Sequence, residues 1–395
     1  MGVDPTPFTP ACGRIRIRPE DFLVEEVGAL EPTGSGEHIA AWVVKRGVDH
    51  QTMVRRVARQ LGVKPSKVSW AGTKDRMAVT QQWITIHAPD AMLPELDEED
   101  LSLQRVMRHE RRIRLGQLVA NRFCIRIRDI DPLQAPCIHR QLLDIQRTGL
   151  SNKFMEQRFG HRGANPCMGS RLLLGDIGGV LDAWLGTDGP AWPLAEEDRR
   201  RYYDQGQFDL AAAGWPRKWH AEIHALKMLS QGASPEDVMV ALPRPVRRYW
   251  TDSVQSSVFN DVLSLREAAG TLHSIGDDDI SWTHDRFLDS VGAVDGDCPV
   301  ESATGPLWGR KMRRATGAVD EMEVQAARAY GLTDEIMHGS SAPTGSRRPL
   351  IVPIAGASAG AGFDEHGAMV EVSFTLPKGC YATAVIDEII NRVES

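Results

Sequence analysis

The fold depends most on the stretch Trp70-Ala71-Gly72-Thr73-Lys74-Asp75-Arg76-Met77-Ala78-Val79-Thr80-Gln81-Gln82-Trp83. A small-residue turn leads to Asp75, which lies between Lys74 and Arg76, and the β-branched and aromatic residues of 79–86 predict a strand directly afterwards. A carboxylate on such a turn is held by a rigid scaffold yet open to a ligand. The two cations favour its ionised form and could bind phosphate. On composition alone, this turn would be interpreted as ordinary solvated surface. Evidence for a function must therefore come from the rest of the chain.

The size and composition are those of a globular protein. A chain of 395 residues predicts two or three domains, and 42% apolar with 25% charged residues is ordinary. The net charge of −7 does not by itself favour a nucleic-acid binder. Whole-chain charge is a poor guide, however, where basic residues are segregated from acidic ones.

The cysteines and the apolar runs predict the compartment. Six cysteines are scattered without a CxxC pair, which argues against a disulfide framework and a cysteine-rich zinc site. The proline-rich start lacks the apolar core of a signal peptide, and no run approaches 18 apolar residues. We therefore expect a cytoplasmic protein without a membrane span.

Strand and helix patterns surround the central stretch. Charged and apolar residues alternate over 14–18, which predicts a strand with a basic outer face, and further strand patterns cover 22–26 and 38–44. Asp49 is placed to cap a helix with an apolar face that ends near Gly62.

A basic stripe follows at 105–128. It carries eight arginines against one acid, Glu110, and its last part alternates Phe123, Ile125 and Ile127 with arginines. This pattern predicts a strand with one basic face, a footprint typical of proteins that bind polyanions. The alternative is an exposed arginine-rich strand that binds nothing.

The composition changes in the second half of the chain. Seven of the ten tryptophans lie between Trp184 and Trp308, and helical patterns dominate, most clearly over 246–269. Strand patterns return at 350–354 and 368–376, and the apolar spacing of 385–393 predicts a terminal helix. The sequence thus predicts an α+β domain interrupted by a largely helical insertion.

Several kinds of chemistry are excluded by motif. The chain has no GxxxxGK[ST] loop, no HExxH pair, no GxSxG elbow and no GxGxxG turn. A cofactor-free mechanism built on a carboxylate remains.

Several separated motifs span nearly the whole chain. They are Pro19-Glu20-Asp21-Phe22-Leu23-Val24-Glu25-Glu26, Gly36-Glu37-His38, Ala71–Arg76 with Ala78–Trp83, Leu115-Gly116 with Asn121-Arg122-Phe123, Asn152 with Phe154 and Gln157–Gly160, Gln255-Ser256 with Phe259-Asn260, and Leu376-Pro377 with Gly379, Tyr381, Ala382 and Thr383. In these motifs and in their order, the chain resembles the TruD family of tRNA pseudouridine synthases.

The resemblance implies a fold and an activity. A pseudouridine synthase catalytic domain with a mostly antiparallel sheet would comprise 1–170 and 340–395, and the family's TRUD insertion domain would comprise 171–339. A uridine of tRNA, for this family typically at position 13, would be flipped out, detached from its sugar at N1, rotated and rejoined through C5. The family uses no metal and no organic cofactor, and it suggests a monomer with tRNA as its partner.

The resemblance also implies site residues. Asp75 falls on the family's catalytic aspartate, and Asn121 on the residue that hydrogen-bonds it. Phe123 and Tyr381 fall on aromatic positions of the active site, where base stacking of roughly 1–3 kcal/mol helps offset base flipping. Taken alone, Phe123 would be a core residue and Asn121 an ordinary turn residue.

The chemistry explains the need for a carboxylate. Breaking the glycosidic bond leaves the ribose C1′ electron-deficient, and a carboxylate can stabilise or capture it. Addition to the sugar and removal of a C2′ proton both remain open for Asp75. Arg16 stands where some relatives carry lysine; it keeps the charge but cannot donate a proton, so we expect a positioning role.

Two other functions remain open. The chain could be a tRNA-binding chaperone with reduced or no catalysis, or a carboxylate-dependent glycosylase that releases free base. In each case we expect RNA to contact Lys74, Arg76, the 14–18 segment and the basic stripe.

Overall fold

The computed structural model describes residues 11–292, 298–339 and 342–392. The chain forms two compact units. Unit 1 comprises Met1–Asn152, Thr283–Glu301 and Ile351–Ser395, and unit 2 comprises Lys153–Trp282 and Ser302–Leu350. The units divide at 152 and 350, whereas the sequence suggested domain boundaries near 170 and 340; those domain boundaries stay a prediction.

The strands are distributed along the chain as follows: β1 (Ala11–Gly13), β2 (Phe22–Val27), β3 (His38–Arg46), β4 (Val68–Trp70), β5 (Val79–His87), β6 (Asp97–Glu98), β7 (Leu101–His109), β8 (Ala120–Arg128), β9 (Leu150–Ser151), β10 (Ser281–Thr283), β11 (Glu301–Leu307), β12 (Ser346–Pro349), β13 (Ile351–Val352), β14 (Ala355–Asp364), β15 (Gly367–Pro377) and β16 (Ile390–Arg392).

The α-helices lie mostly in the middle of the chain: α1 (His50–Gln60), α2 (Ala135–Thr148), α3 (Asn165–Leu174), α4 (Ile177–Leu185), α5 (Glu197–Asp204), α6 (Phe208–Gly214), α7 (His220–Ser230), α8 (Pro235–Ala241), α9 (Arg244–Ala268), α10 (Asp285–Val291), α11 (Gly317–Arg328), α12 (Asp334–His338) and α13 (Ala382–Ile389).

The large sheet of unit 1 runs in the order β14-β15-β8-β2-β5-β3-β7-β6, and β4 pairs with β5. Its pairs are antiparallel except β2–β5, in which Leu23 lies opposite Val79. This confirms the predicted α+β class with a mainly antiparallel sheet. The predicted strands at 22–26, 38–44 and 79–86 are confirmed as β2, β3 and β5.

Helix α1 shows how the sequence builds the support for this sheet. Asp49 accepts a hydrogen bond from the Thr52 amide at 2.9 Å, which confirms the predicted cap. Met53 and Val57 are fully buried in one apolar cluster with sheet residues such as Ile84. Burying each such side chain contributes about 1.5–3 kcal/mol, so the helix is fixed against strands that precede and follow the central turn.

Unit 2 is built on the long helix α9, which confirms the predicted helix at 246–269. Helices α3 and α11 contact α9. One apolar cluster of unit 2 contains the tryptophans Trp184, Trp215 and Trp250.

Three sequence-based elements are corrected by the structure. The segment 14–18 is not a strand, because pairing ends at a bridge between Arg14 and Arg128 and Arg16 adopts a left-handed φ of 59°. The terminal helix ends at Ile389, since 390–392 pairs with β1, and Val393 lies outside the described residues. Strand β14 was missed because its alanine, glycine and serine residues have weak strand propensity.

Candidate active site

Asp75 lies in the loop 71–78 that joins the antiparallel strands β4 and β5. Its side chain is 52% exposed. Two hydrogen bonds hold the start of the loop: the Gly116 amide donates to the Ala71 carbonyl at 2.8 Å, and Gln82 Nε2 donates to the Gly72 carbonyl at 3.0 Å. The carboxylate is therefore open to a ligand on a loop whose backbone is held in place.

Arg16 is the cation that meets this carboxylate. Its Nη2 lies 2.7 Å from Asp75 Oδ2. The same guanidinium lies over the ring of Phe22, with Cζ 4.2 Å from the ring centroid. Arginine can satisfy both contacts because its planar group binds carboxylates and stacks on aromatic rings.

Lys45 contacts the backbone of Asp75 by a hydrogen bond. This buried lysine on β3 donates to the Asp75 carbonyl at 2.5 Å and to the Val48 carbonyl at 2.9 Å. Burial lowers the pKa of Lys45 from 10.5 to about 8, and the nearby Asp75 and Asp49 charges oppose that change. The ammonium group, which donates these bonds, is thus present at neutral pH and titrates just above it.

Lys74 points into the protein, where the sequence had suggested a phosphate contact. Lys74 is 7% exposed; its Nζ donates to Asn121 Oδ1 at 2.5 Å and lies 3.4 Å from Glu26 Oε2. Burial lowers the pKa of Lys74 and raises the pKa of Glu26, while their mutual attraction opposes both changes. Lys74 is therefore a partner of Glu26 and Asn121 inside the protein, and its predicted contact with RNA stays a prediction.

Asn121 accepts a hydrogen bond from Lys74 through its side-chain oxygen. In the part of the chain that the structure describes, no hydrogen bond joins Asn121 to Asp75, and the contact that the resemblance implied stays a prediction. Asn121 lies opposite Glu26 on one neighbouring strand and Leu376 on the other.

Phe123 is buried in an aromatic cluster. Its ring centroid lies 6.1 Å from that of Phe22 and 5.5 Å from that of Phe374. This is the core position that its strand setting favours. Tyr381 is half-buried and directly precedes helix α13.

Arg76 differs from Lys74 in being exposed, as is Met77. Neighbouring residues of the loop thus point in opposite directions. Of the two cations that flank Asp75, Arg76 is the one placed to meet a solvent-borne phosphate.

His50 was not singled out by the sequence. This buried residue packs edge-on against Trp70, with ring centroids 4.6 Å apart. Burial, together with the charges of Lys45 and Lys74, lowers the pKa of His50 to about 4. The imidazole is therefore neutral near pH 7, and no sequence pattern pointed to it.

The basic stripe divides into paired and unpaired arginines. On β8, Arg122 pairs with Glu25 and Arg126 with Glu371, each at 3.0 Å, while buried Arg128 lies 2.6 Å from Asp21 and 2.7 Å from Asp364. These guanidiniums form ion pairs between elements of the fold. The expectation of a strand with one free basic face is corrected, because carboxylates from neighbouring elements neutralise it.

The loop 110–117, which we call the arginine loop, carries three further cations of the stripe. A fourth exposed arginine of the stripe, Arg105, lies on β7 with its guanidinium 5.9 Å from the centroid of the Trp42 ring. Arg111, Arg112 and Arg114 are exposed and have no ion pair with any described residue. They line a cleft of about 1030 Å³ together with the acids Glu31 and Glu110. The cleft is formed within unit 1, and the same loop donates the Gly116 amide to the Ala71 carbonyl.

Two searches of the described residues were negative. They contain no group of three or more histidine, cysteine, aspartate or glutamate side chains that could hold a metal ion. Within the same residues, no helix has both the length and the apolar character needed to cross a membrane.

Comparison with known proteins identifies the family. The family model for tRNA pseudouridine synthase D (TruD) matches residues 6–389. The chain is 33% identical over 395 residues to the tRNA pseudouridine synthase D of Geobacter sp. (strain M21), with 96% of each chain covered. It is 32% identical over 400 residues to that of Geobacter sulfurreducens, covering 96% of this chain and 94% of the relative.

A solved structure shows the same fold. A crystal structure from Methanosarcina mazei, described as tRNA pseudouridine synthase D, superposes with a TM-score of 0.78. It is 24% identical and the match covers 99% of this chain and 96% of the other. Since the family model spans almost every residue and the relatives match end to end, this chain belongs to the TruD family of tRNA pseudouridine synthases.

Proposed function

We propose that this chain isomerises a uridine of tRNA to pseudouridine, at position 13. The observation that carries the proposal is the half-exposed Asp75 carboxylate, which Arg16 holds through its side chain and Lys45 through its backbone carbonyl. The relatives' shared name supports the reaction class.

The bond changes of the reaction define what this carboxylate would have to do. The N1–C1′ bond breaks, the base turns, the C5–C1′ bond forms, N1 gains a proton and the C5 proton leaves. Asp75 is the proposed group that meets the electron-deficient C1′ or takes a C2′ proton. Arg16 orients the carboxylate, so Asp75 approaches the sugar with a fixed oxygen.

The target base must leave its stack, at a cost of a few kcal/mol. We propose that Tyr381 contacts the flipped base and that Phe123 supports the site from the buried side. Tyr381 is half-buried, whereas Phe22 and Phe374 cover Phe123.

We propose that the arginine loop and Arg76 contact the phosphates of the tRNA. They supply exposed guanidiniums, which bind phosphate in a bidentate manner. Unit 1 is the proposed catalytic domain and unit 2 the proposed insertion domain. A monomeric state and a cytoplasmic location stay predictions, as does a reaction that needs no metal or organic cofactor.

The test is tritium release from transcribed tRNA that carries [5-³H]uridine. We expect the wild type to release tritium to solvent and Asp75→Asn to release none, because isomerisation must displace the hydrogen on C5. Asp75→Asn should still bind tRNA, since its side chain keeps its shape.

Other outcomes decide between the alternatives. Tight binding without tritium release by the wild type would support the chaperone. Release of free uracil would support the glycosylase. Equal tritium release by Asp75→Asn would remove Asp75 from the reaction.

A further inference from the structure

Unit 2 encloses a cavity of about 210 Å³ that is separate from the Asp75 loop. Tryptophan and tyrosine supply five of its fifteen lining residues: Trp184, Trp215, Trp219, Tyr249 and Trp250. Centroid distances of 5.2 Å for Trp215–Trp219 and 5.5 Å for Trp184–Trp250 show that the rings form two packed pairs. Trp219 is half-buried and Tyr249 is 38% exposed, so these two rings border the opening to solvent.

A polar side chain in the wall lacks a partner. Asn165 lines the cavity and is only 6% exposed, and its side-chain amide has no hydrogen bond with any described residue. The amide is not among the fully buried unpartnered groups of the described residues, so it is accessible from the cavity. Gly160 makes room for this amide: its φ is 73°, and a Cβ there would lie 2.3 Å from Asn165 Nδ2. The amide is thus available to a ligand that enters the cavity.

A strained arginine lies in the same wall. Arg162 has a φ of 63°, in the left-handed region that non-glycine residues rarely adopt. Its guanidinium donates to the backbone carbonyls of Pro190 and Ala183, the latter at 3.0 Å. Burial, with the charge of Arg200 nearby, lowers the pKa of Arg162 to about 10, so this cation still holds its charge at neutral pH. Strain of this kind concentrates at ligand sites.

The remaining charges of the wall are paired. Arg200 lies 2.7 Å from Glu196, which also contacts His161 at 2.7 Å. The Glu222 carboxylate accepts from the Trp184 indole at 3.0 Å. Arg199 and Arg200 lie over the Trp215 ring, with Cζ 4.2 Å and 5.3 Å from its centroid. The groups placed to meet a ligand are therefore the half-buried ring of Trp219, the Asn165 carboxamide and the Arg162 guanidinium.

The size and chemistry select the ligand class. The cavity is smaller than the roughly 300–1,000 Å³ of sites that take drug-sized ligands, which favours a single small ring system. Aromatic faces stack on any nucleobase, and a carboxamide can both donate to and accept from a base edge. Arg217 and Lys218, exposed beside Trp219 in the chain, are suited to the attached phosphates.

We propose that this cavity binds one unstacked nucleobase of the tRNA, distinct from the uridine that reacts. The proposal rests on tRNA being the substrate, as stated under Proposed function. A second extruded base bound in unit 2 would help to fix the shape of the tRNA segment that carries the target uridine. This would add to substrate selection without any contact to the reacting atoms.

Two variants test the cavity. Each should weaken tRNA binding, and Asn165→Leu should do so without lowering the stability of the fold. Trp219→Ala should weaken binding of full-length tRNA on the order of tenfold, because one stacking surface is lost. Asn165→Leu has a similar volume and removes the amide that faces the cavity, so we expect it to raise KM for tRNA while the Tm stays close to that of the wild type. Neither variant should lower kcat as much as it raises KM.

Trp282→Ala is the matched control, because Trp282 is an exposed tryptophan of unit 2 outside the cavity wall. It should leave the Kd for tRNA unchanged. The proposal is overturned if Trp219→Ala and Asn165→Leu bind tRNA as the wild type does. It is also overturned if Asn165→Leu lowers the Tm without changing the Kd, since Asn165 would then be purely structural. If Asn165→Leu does not fold, Trp219→Ala decides.

The same experiment separates this proposal from the proposed function. If both variants bind tRNA more weakly and the wild type releases no tritium, the cavity is supported as a tRNA-binding site and the isomerase activity is refuted. If the wild type releases tritium and both variants bind tRNA normally, the isomerase activity is supported and the cavity proposal is refuted. A wild-type protein that binds no tRNA would refute both.

Discussion

In the proposed reaction, the ion pair between Arg16 and Asp75 sets how the carboxylate faces the substrate. Its 2.7 Å separation fixes Asp75 Oδ2 and leaves the other oxygen available. Arg16 can hold this position because its left-handed backbone turns the chain and its guanidinium lies over Phe22. Such an orienting contact is worth more to the reaction than to stability, since exposed ion pairs contribute only about 0–1 kcal/mol to folding.

Substituting Arg16 tests this orienting role. Arg16→Met should lower kcat on the order of tenfold to a hundredfold, because a misplaced reacting group reduces the rate steeply. Arg16→Lys keeps the charge and should stay within a few-fold of wild type. Arg147→Met is the control: Arg147 is likewise paired with an aspartate, Asp144, but on helix α2. A wild-type kcat for Arg16→Met would show that Asp75 needs no such partner.

From the lowered pKa of Lys45 we predict that activity falls and the contribution of Lys45 to stability rises over the same alkaline pH range. Its folded pKa of about 8 lies below the usual 10.5, so between these values the unfolded chain binds more protons than the folded one. The contribution of Lys45 to the free energy of unfolding therefore rises from pH 8 to pH 10.5. Activity should fall over the same range, because neutral Lys45 holds the Asp75 carbonyl less strongly.

The measurement is kcat against pH for the wild type and for Lys45→Met. The wild type should lose activity with an apparent pKa near 8. The variant should be slower at pH 7 and lack that step. The same alkaline step in Lys45→Met would assign it to another group.

At the scale of elements, the contrast between β8 and the arginine loop explains where RNA can bind. Strand β8 has carboxylates on both neighbouring strands, so Arg122 meets Glu25 and Arg126 meets Glu371. The arginine loop leaves the sheet, and its three guanidiniums remain in solvent. A sequence segment rich in arginine therefore forms a basic surface only where the fold places no aspartate or glutamate side chains next to it.

A salt titration of tRNA binding tests this division. Each phosphate contact adds roughly 0.7–0.9 to the slope of log K against log[salt]. Replacing Arg111, Arg112 and Arg114 by alanine should therefore reduce the slope by about 2, whereas Arg126→Ala should leave it unchanged. An unaltered slope in the triple variant would place the phosphate contacts elsewhere.

The elements that were predictable are those with strong local signals. Alternation and β-branched residues located β2, β3 and β5, and the Asp49 cap located α1. The alanine- and glycine-rich β14 has no such signal and owes its conformation to its neighbour β15. The direction of Lys74 was equally hidden, because its partner Glu26 is 48 positions away and on another strand.

At the scale of the molecule, the sheet brings distant motifs into one row. Glu26, Asn121 and Leu376 come from three separate motifs and lie directly opposite one another on neighbouring strands. The resemblance identified these residues and implied a contact of Asn121 with Asp75, but it did not indicate the contact of Asn121 with Lys74. The geometry adds that Asn121 bonds Lys74, and that the exposed carboxylate of this region belongs to Asp75.

The most direct test of the central claim is to map the product on a single tRNA. An unmodified transcript would be treated with wild type or Asp75→Asn, then with a carbodiimide that marks pseudouridine, and read by primer extension. The account predicts a stop that reports pseudouridine at position 13 with the wild type and none with Asp75→Asn, at equal tRNA binding. A stop of equal strength with both proteins would contradict it.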